Sequence, residues 1–233
     1  MGRTLVIGHR GAPLCAPENT LASFRAGLAA GLRAFELDVH VTRDGVPVVF
    51  HDHSLRRLTG DRRQITACTW AQLRGLRVAG CERIPRLADV LRLLRGRALV
   101  QIELKRGAPA APVIAVVRSA RAAKFVHLAS FSGRIVRECA RLAPGIPREL
   151  IAHRPRGAAR LLARMRAVGA GGLSLDHRLV RSAAFVRQLH AAGATVWCWT
   201  VNDPVRARRL AAFGVDGIIS DNPALLRRAL RQG

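Results

Sequence analysis

The sequence predicts an α/β fold, a (β/α)8 TIM barrel formed by a single domain over residues 1–233. Short apolar runs alternate with helix-like segments, which is the pattern of parallel strands joined by crossover helices. One connection, residues 42–46 (TRDGV), is too short for a crossover and carries an Asp-Gly turn signal, so residues 35–52 are predicted to form a β-hairpin. Eight strand candidates remain when the second arm of this hairpin is set aside, and eight strands close a barrel.

The predicted strands are short runs separated by helical segments rich in Ala, Leu and Arg, several of which end on Gly. No GxGxxG or Walker-type loop follows any strand, which disfavours the alternative architecture, a doubly wound open sheet. Residues 53–85 show no strong period and are predicted to form a small insertion over the barrel mouth. In chain order the strand candidates cover residues 5–9, 35–41, 47–52, 98–104, 125–131, 148–153, 172–177, 195–201 and 216–221.

The composition excludes several classes of protein. A hydrophobic content of 49% is incompatible with disorder, and no window reaches the roughly 18 consecutive apolar residues of a membrane span. The five cysteines form no CxxC pair, which argues against both a disulfide framework and a structural zinc site. The first residues, MGRTLVIGHR, lead directly into a strand without a signal-peptide pattern, so we expect a cytoplasmic protein.

The net charge of +24 has two interpretations. All but two of the 39 basic residues are Arg, and Ala and Gly are also abundant, which is typical of a coding bias. The alternative is a non-catalytic basic protein that binds nucleic acid. An aromatic content of 4% with no Tyr supplies few stacking platforms and disfavours this alternative.

Carboxylates are placed on two of the predicted strands in a pattern that suits a metal ion. Glu36 and Asp38 alternate with apolar residues in FELDVH, and Glu103 and Lys105 do so in ALVQIELK. Since chemistry in such a barrel lies at the carboxyl ends of the strands, the three carboxylates are expected to converge there. Three hard oxygen donors suit Mg²⁺ or Ca²⁺ rather than zinc, and structural ion pairs with neighbouring Arg residues are the alternative.

Two histidines and two cations are predicted to flank the carboxylates. His9 ends the first strand, and the hairpin places His51 roughly across from Asp38. Two histidines supply an acid and a base near neutral pH, and Arg10 and Lys105 could hold a phosphate, so the set fits phosphodiester hydrolysis. His40 lies further along the hairpin. The remaining histidines are interpreted as surface or capping residues, namely His53, His127, His153, His177 and His190.

Seven segments, in order over nearly the whole chain, resemble the glycerophosphodiester phosphodiesterase family. The resemblance implies a (β/α)8 barrel that uses a divalent metal to hydrolyse glycerophosphodiesters to an alcohol and glycerol 3-phosphate. The segments are HRG at 9–11, PENT at 17–20, ELDV at 36–39, TRDGVPVVFHD at 42–52, IELK at 102–105, WTVND at 199–203 and GVDGIISDNP at 214–223.

The resemblance also implies a role for individual residues. It assigns Glu36, Asp38 and Glu103 as metal ligands. It assigns His9 and His51 as the acid and base, in an order left open, and Arg10 and Lys105 as phosphate contacts. Trp199 would pack near the glycerol moiety, with plain core packing as the alternative. Glu18 and Asn19 either brace their loop or begin the next helix, where Asn19 or Thr20 would be the N-cap.

The substrate is expected to be a small glycerophosphodiester, with the choice of alcohol set by residues 53–85. A second enzyme of the same fold, a lysophospholipase D-like one acting at membranes, is the runner-up. In that case the Arg-rich insertion would meet anionic lipid headgroups, and an apolar patch within 53–85 would favour it.

Overall fold

Parallel strands and crossover helices form the frame of the protein. The structure, a computed structural model, describes residues 4–154 and 157–231. Residues 1–3, 155–156 and 232–233 of the predicted domain lie outside the described residues. The strands are β1 (Leu5–His9), β2 (Ala34–Val41), β3 (Pro47–Val49), β4 (Arg77–Val78), β5 (Glu82–Arg83), β6 (Leu99–Leu104), β7 (Val126–Ser130), β8 (Arg148–Ala152), β9 (Gly172–Asp176), β10 (Thr195–Trp199) and β11 (Gly217–Ser220).

Ten α-helices accompany these strands in the described part of the chain, together with two short 3-10 helices at Ile65–Ala67 and His177–Leu179. They are α1 (Leu21–Ala29), α2 (Arg56–Thr59), α3 (Trp70–Leu73), α4 (Leu87–Leu94), α5 (Ala110–Ser119), α6 (Gly133–Leu142), α7 (Ala158–Ala167), α8 (Ala183–Ala191), α9 (Pro204–Phe213) and α10 (Pro223–Ala229). Of the residues described, no helix has the length and apolar character needed to cross a bilayer.

Eight parallel strands close into the predicted (β/α)8 barrel. Their order is β1-β2-β6-β7-β8-β9-β10-β11, and β11 pairs with β1 to complete the ring. Apolar side chains on the outer face of the strands are buried against the helices, while Ile7, Ala34, Trp197 and Ile219 form a small cluster inside the barrel. This alternation sends every second side chain inward and places polar groups at the carboxyl ends of the strands.

The hairpin arm β3 pairs antiparallel with β2 outside the ring, as predicted, but it is shorter than predicted and its register differs. Val39 pairs with Val49, and the Phe50 N–H donates to the Asp38 carbonyl at 3.0 Å. Phe50, and not His51, therefore lies opposite Asp38. On the side facing away from β2, the Val49 N–H donates to the Pro85 carbonyl at 2.9 Å, and the chain then turns into the insertion.

The insertion predicted at 53–85 has a small core of its own. It contains α2, α3 and the β4–β5 hairpin. Buried side chains from the insertion pack on two residues of the hairpin arm, Val48 and Phe50, and these side chains are Leu55, Ile65, Cys68, Leu73, Val78 and Ile84. The insertion is thus attached to the barrel next to His51.

Side-chain caps fix where helices begin above the barrel. The Thr20 hydroxyl accepts from the Ser23 N–H, so Thr20 rather than Asn19 is the N-cap of α1. Asp203 and Asn222 cap α9 and α10, and each is followed by a Pro at the first helical position.

Candidate active site

A pocket of about 140 Å³ opens at the carboxyl ends of the barrel strands. Seven of the eight residues proposed from the sequence are on barrel strands or the loops that follow them, and the eighth, His51, follows the hairpin arm β3. All but Asp38 line this pocket. No residue of 53–85 is among its lining residues, so the walls come from the barrel. The lining residues are His9, Arg10, Glu36, His51, Gln101, Glu103, Lys105, Phe131, Ile151, Ser174, Trp199, Thr200 and Ile219.

Three carboxylates converge at the pocket. Asp38 on β2 pairs in register with Glu103 on β6, and Glu36 lies two residues before Asp38 on the same inward face. One oxygen from each of the three carboxylates lies within 4.8 Å of the others. An oxygen-only set of this size has the composition of a Mg²⁺ or Ca²⁺ site.

Burial and mutual repulsion set the charges of this cluster. Burial, reinforced by the neighbouring Asp38 carboxylate, raises the pKa of Glu36 to about 8, and the same two causes raise the pKa of Glu103. Burial opposes ionisation of Asp38 as well, but Lys105 and Arg10 outweigh it and lower the pKa of Asp38. Glu36 and Glu103 therefore resist ionising beside the charged Asp38, and a cation bound between the three carboxylates would favour their ionised forms.

Lys105 and Arg10 place two cationic side chains beside this cluster. The Lys105 Nζ lies 2.6 Å from Asp38 Oδ1 and 2.7 Å from Glu103 Oε1. The Arg10 Nε lies 3.2 Å from Asp38 Oδ2. Arg10 has a left-handed backbone with φ of 55°, and its N–H donates to the Glu36 carbonyl at 3.0 Å. This conformation turns the side chain from the end of β1 toward the carboxylates.

The loop at 17–20 braces the same residues. The Asn19 side-chain amide donates to Asp38 Oδ2 at 2.8 Å, and the Arg10 Nη1 donates to Glu18 Oε1 at 2.8 Å. Of the two interpretations of Glu18 and Asn19, the structure thus supports bracing. Gly11, with φ of 97°, lies so close to α1 that a Cβ there would meet the Ser23 Oγ at 2.3 Å. Only glycine fits this turn.

Each of the two site histidines has its Nδ1 held by a carboxylate. The His9 Nδ1 lies 2.6 Å from Asp221 Oδ1, and the His51 Nδ1 lies 2.7 Å from Asp52 Oδ1. Burial alone would lower the pKa of His9, but the hydrogen bond to Asp221, together with Glu36, raises it. The pKa of His51 is lowered, chiefly by burial. In both rings the carboxylate contact is made by Nδ1 and not by Nε2.

Arg57, from the insertion, links the loop that carries Asp52 to the loop that carries Glu18. The Arg57 guanidinium donates to both oxygens of Asp52, at 2.6 and 3.0 Å. It also donates to both oxygens of Glu18, at 2.7 and 3.1 Å. Hydrogen bonding from Arg57 is the main reason that the pKa of Asp52 falls to about 2. The chain of contacts runs from His51 through Asp52, Arg57 and Glu18 to Arg10.

Trp199 forms an apolar wall of the pocket together with Phe131. The Trp199 Nε1–H donates to the Ser174 carbonyl at 3.1 Å, and its ring meets that of Phe131 edge to face at 5.6 Å. Phe131 is exposed, at 41%. Trp199 therefore packs against neighbouring side chains and also lines the pocket. Core packing and a position beside the ligand, the two alternatives for this residue, are thus compatible.

His127, interpreted from the sequence as a surface or capping residue, lies inside the barrel instead. His127 is on β7 inside the barrel, where its Nδ1 lies 2.5 Å from Glu149 Oε1 and its ring stacks on Trp197 at 5.1 Å. The interpretation was wrong because residue 127 shares the inward parity of β7. His53 and His153 are exposed. His190 lies in the last turn of α8, as a capping residue would.

Sequence reasoning did not assign Asp52, Asp221 and Arg57 to the site. Asp52 and Asp221 do lie inside the matched segments and follow strand ends, which is the signal that could have identified them. Arg57 had no such signal, because its contacts depend on how the insertion folds.

Comparison with known proteins agrees with this geometry. The model of the Glycerophosphoryl diester phosphodiesterase family matches residues 9–225. A curated protein of Mycobacterium tuberculosis named "Probable glycerophosphodiester phosphodiesterase 2" is 31% identical, over 98% of this chain and 91% of its own length.

Solved structures share the fold. A putative glycerophosphoryl diester phosphodiesterase from Silicibacter pomeroyi is 33% identical with a TM-score of 0.89, covering 99% of this chain and 94% of the other. A phosphodiesterase of Oleispira antarctica, solved with its product sn-glycerol-3-phosphate, is 27% identical with a TM-score of 0.89, covering 98% and 97% of the two chains. The matched segments, the barrel and these relatives lead to one conclusion: this chain belongs to the glycerophosphoryl diester phosphodiesterase family and is an enzyme of that family.

Proposed function

We propose that this enzyme hydrolyses glycerophosphodiesters to an alcohol and glycerol 3-phosphate with the help of a divalent cation, Mg²⁺ or Ca²⁺. The observation that carries the proposal is the cluster of Glu36, Asp38 and Glu103, with ligand oxygens within 4.8 Å, beside two carboxylate-held histidines in one pocket. The product bound to the Oleispira antarctica relative supports the choice of substrate.

Glu36, Asp38 and Glu103 would hold the cation, since their oxygens form the hard donor set that such ions prefer. When bound, the cation would supply Lewis-acid polarisation of the phosphodiester oxygens. Arg10 and Lys105 line the pocket beside this cluster, and their guanidinium and ammonium groups suit the negative charge of a phosphodiester. Trp199 would pack on the glycerol moiety.

His9 and His51 would move the protons. Hydrolysis removes one proton from the attacking hydroxyl and delivers one to the leaving oxygen, so two groups that titrate near neutral pH balance the reaction. Asp221 and Asp52 hold the Nδ1 atoms and so direct each Nε2 as the exchanging atom. Either histidine can take either role in this balance.

The direct test is phosphorus NMR of glycerophosphocholine incubated with the protein and Mg²⁺ or Ca²⁺. We expect glycerol 3-phosphate and choline, because the alcohol leaves and the phosphate stays on glycerol. Formation of phosphocholine and glycerol, or the absence of hydrolysis with both ions, would contradict the proposal. A panel of other glycerophosphodiesters would identify the preferred alcohol.

We propose a lysophospholipase D-like activity at membranes as a second candidate, on one observation. Among the described residues, the exposed large apolar side chains are Leu14, Phe131 and Val205, and all three follow the carboxyl ends of barrel strands. None is in the insertion, where an apolar patch would have favoured this candidate. They would face an anionic bilayer that attracts the basic protein. Hydrolysis of lysophosphatidylcholine and co-sedimentation with anionic vesicles would support this candidate, and failure of both would reject it.

The cytoplasmic location stays a prediction from the sequence. The five cysteines are all free thiols, which is the state expected in that compartment.

A further inference from the structure

The pocket extends from Glu103 and Lys105 into the barrel. Gln101 precedes Glu103 by two residues on β6, which places it roughly 7 Å deeper, and it pairs in register with Glu36, the innermost of the three carboxylates. Ser174 on β9 and Ile151 on β8 are neighbours in the sheet and line the same pocket. The floor therefore carries two uncharged polar side chains, Gln101 and Ser174, among apolar ones.

Ser174 is a buried polar side chain without a partner. The residue is 1% exposed, and its Oγ makes no hydrogen bond to any residue that the structure describes. Its carbonyl is occupied by the Trp199 Nε1–H at 3.1 Å, so the residue is held firmly in place beside the Trp199 ring. A buried hydroxyl left unpaired is costly, and one that lines a pocket indicates a polar group of a ligand.

Gln101 is oriented from below by a buried polar chain. Its Nε2 donates to Glu149 Oε2 at 3.2 Å, and Glu149 Oε1 lies 2.5 Å from the His127 Nδ1. Gln101 and Glu149 are each 1% exposed. Because the amide nitrogen is engaged by Glu149, the amide oxygen of Gln101 is the acceptor left for a group in the pocket.

We propose that Ser174 and Gln101 form a hydroxyl-binding subsite on the floor of the pocket, which takes a hydroxyl of the substrate's glycerol moiety. The inference rests on the proposed function for the identity of the substrate. One uncharged donor and one uncharged acceptor match a hydroxyl, which both donates and accepts. They carry no charge that would pair with an ammonium or phosphate group, and the nearby Glu149 carboxylate is already paired with His127. Trp199 and Phe131 would cover the carbon atoms of the same moiety.

The test compares the binding of two phosphate monoesters by calorimetry in the presence of Mg²⁺. Glycerol 3-phosphate carries the hydroxyls, and propyl phosphate has the same carbon chain without them. We expect the Kd of glycerol 3-phosphate to rise roughly 3- to 10-fold in Ser174→Ala, with the Kd of propyl phosphate unchanged. Gln101→Met, which keeps length and removes the acceptor, should have the same selective effect.

The matched control is Ser119→Ala, an exposed serine on α5 whose hydroxyl donates to the Val116 carbonyl, and it should leave both Kd values unchanged. Wild-type protein that binds both ligands equally would overturn the inference, even if neither floor variant folds. Ser174→Ala binding like wild type, or losing both ligands equally, would also overturn it.

This outcome is separable from that of the proposed function. Selective loss of glycerol 3-phosphate binding by a protein that hydrolyses no glycerophosphodiester would support the subsite and reject the proposed function. Hydrolysis of glycerophosphocholine by a protein without that selectivity would do the reverse.

Discussion

At the scale of single residues, two histidines and their carboxylate partners carry the proposed chemistry. His9 and His51 are 42 residues apart in the sequence, yet both line one pocket. Each ring is fixed by a hydrogen bond between its Nδ1 and a carboxylate. A fixed ring holds its tautomer and direction, which is what proton transfer requires.

Replacing either histidine should remove most of the activity. We expect His9→Ala and His51→Ala each to lower kcat by on the order of 10²–10⁴, because each would remove one of the two proton-transfer groups. Initial rates with glycerophosphocholine at saturating metal give this value. Near-wild-type rates in a variant with an unchanged circular dichroism spectrum would reject that residue's role.

The partner carboxylates should have a smaller effect. Asp221→Asn and Asp52→Asn keep the size of the side chain and remove the charge that holds each imidazole. We expect kcat to fall roughly 10- to 100-fold in each, because the imidazole would lose the charged partner that fixes its direction, with KM nearly unchanged. A rise in KM alone, measured over a full substrate range, would show that these carboxylates act on binding instead.

At this scale the sequence predicted which residues meet, but not how their partners are arranged. The alternation of polar and apolar residues along β2 and β6 was sufficient to predict that Glu36, Asp38 and Glu103 converge, because it shows which side chains of a strand share a face. The position of His51 depends on the pairing register between β2 and β3, which the Asp-Gly turn signal predicts only approximately. In the structure Phe50 lies opposite Asp38, so the predicted register was wrong by one residue. His127 was misplaced since its partner Glu149 lies on the neighbouring strand β8, and the register of that pairing cannot be read from either segment alone.

At the scale of elements, the insertion supports the site although it does not line the pocket. Helix α2 presents Arg57, which bridges Asp52 after the hairpin arm and Glu18 in the loop before α1. The small core of the insertion packs on Val48 and Phe50, and so fixes the position of α2 relative to His51. The sequence indicated an insertion here, but a segment without strong periodicity does not reveal its own tertiary contacts.

Loss of Arg57 should impair catalysis through this bridge. We expect Arg57→Met to lower kcat roughly 10-fold or more, since Asp52 and Glu18 would lose a shared bidentate partner. Added guanidinium ion should restore part of the rate if the bridge acts through its charge and hydrogen bonds. The control is Arg56→Met, an exposed neighbour on the same helix. An equal loss in both variants, or no rescue, would argue against a positioning role.

At the scale of the whole molecule, the barrel brings distant segments of the chain to one mouth, and the chain carries a large positive net charge. The charge of +24 remains compatible with a coding bias, but its field acts on any charged substrate whatever its origin. We propose that barrel and insertion unfold as one domain, since the insertion core is shared with the hairpin arm.

The charge predicts a dependence on salt that differs between substrates. For anionic glycerophosphoglycerol we expect kcat/KM to fall several-fold between low ionic strength and about 0.5 M salt, because steering is screened. Zwitterionic glycerophosphocholine, with no net charge, should change much less. Parallel rate measurements check this, and equal salt dependence for the two substrates would show that the net charge does not steer the substrate.

We propose that phosphodiester hydrolysis requires a divalent cation at Glu36, Asp38 and Glu103. The most direct measurement is the rate of glycerol 3-phosphate release from glycerophosphocholine by protein stripped with a chelator, before and after Mg²⁺ or Ca²⁺ is returned. We predict a loss on the order of 10²-fold or more on stripping, recovered with at least one of the two ions, because Lewis-acid stabilisation of the transition state is removed and restored. Activity that survives thorough removal of metal from the folded protein would contradict the account.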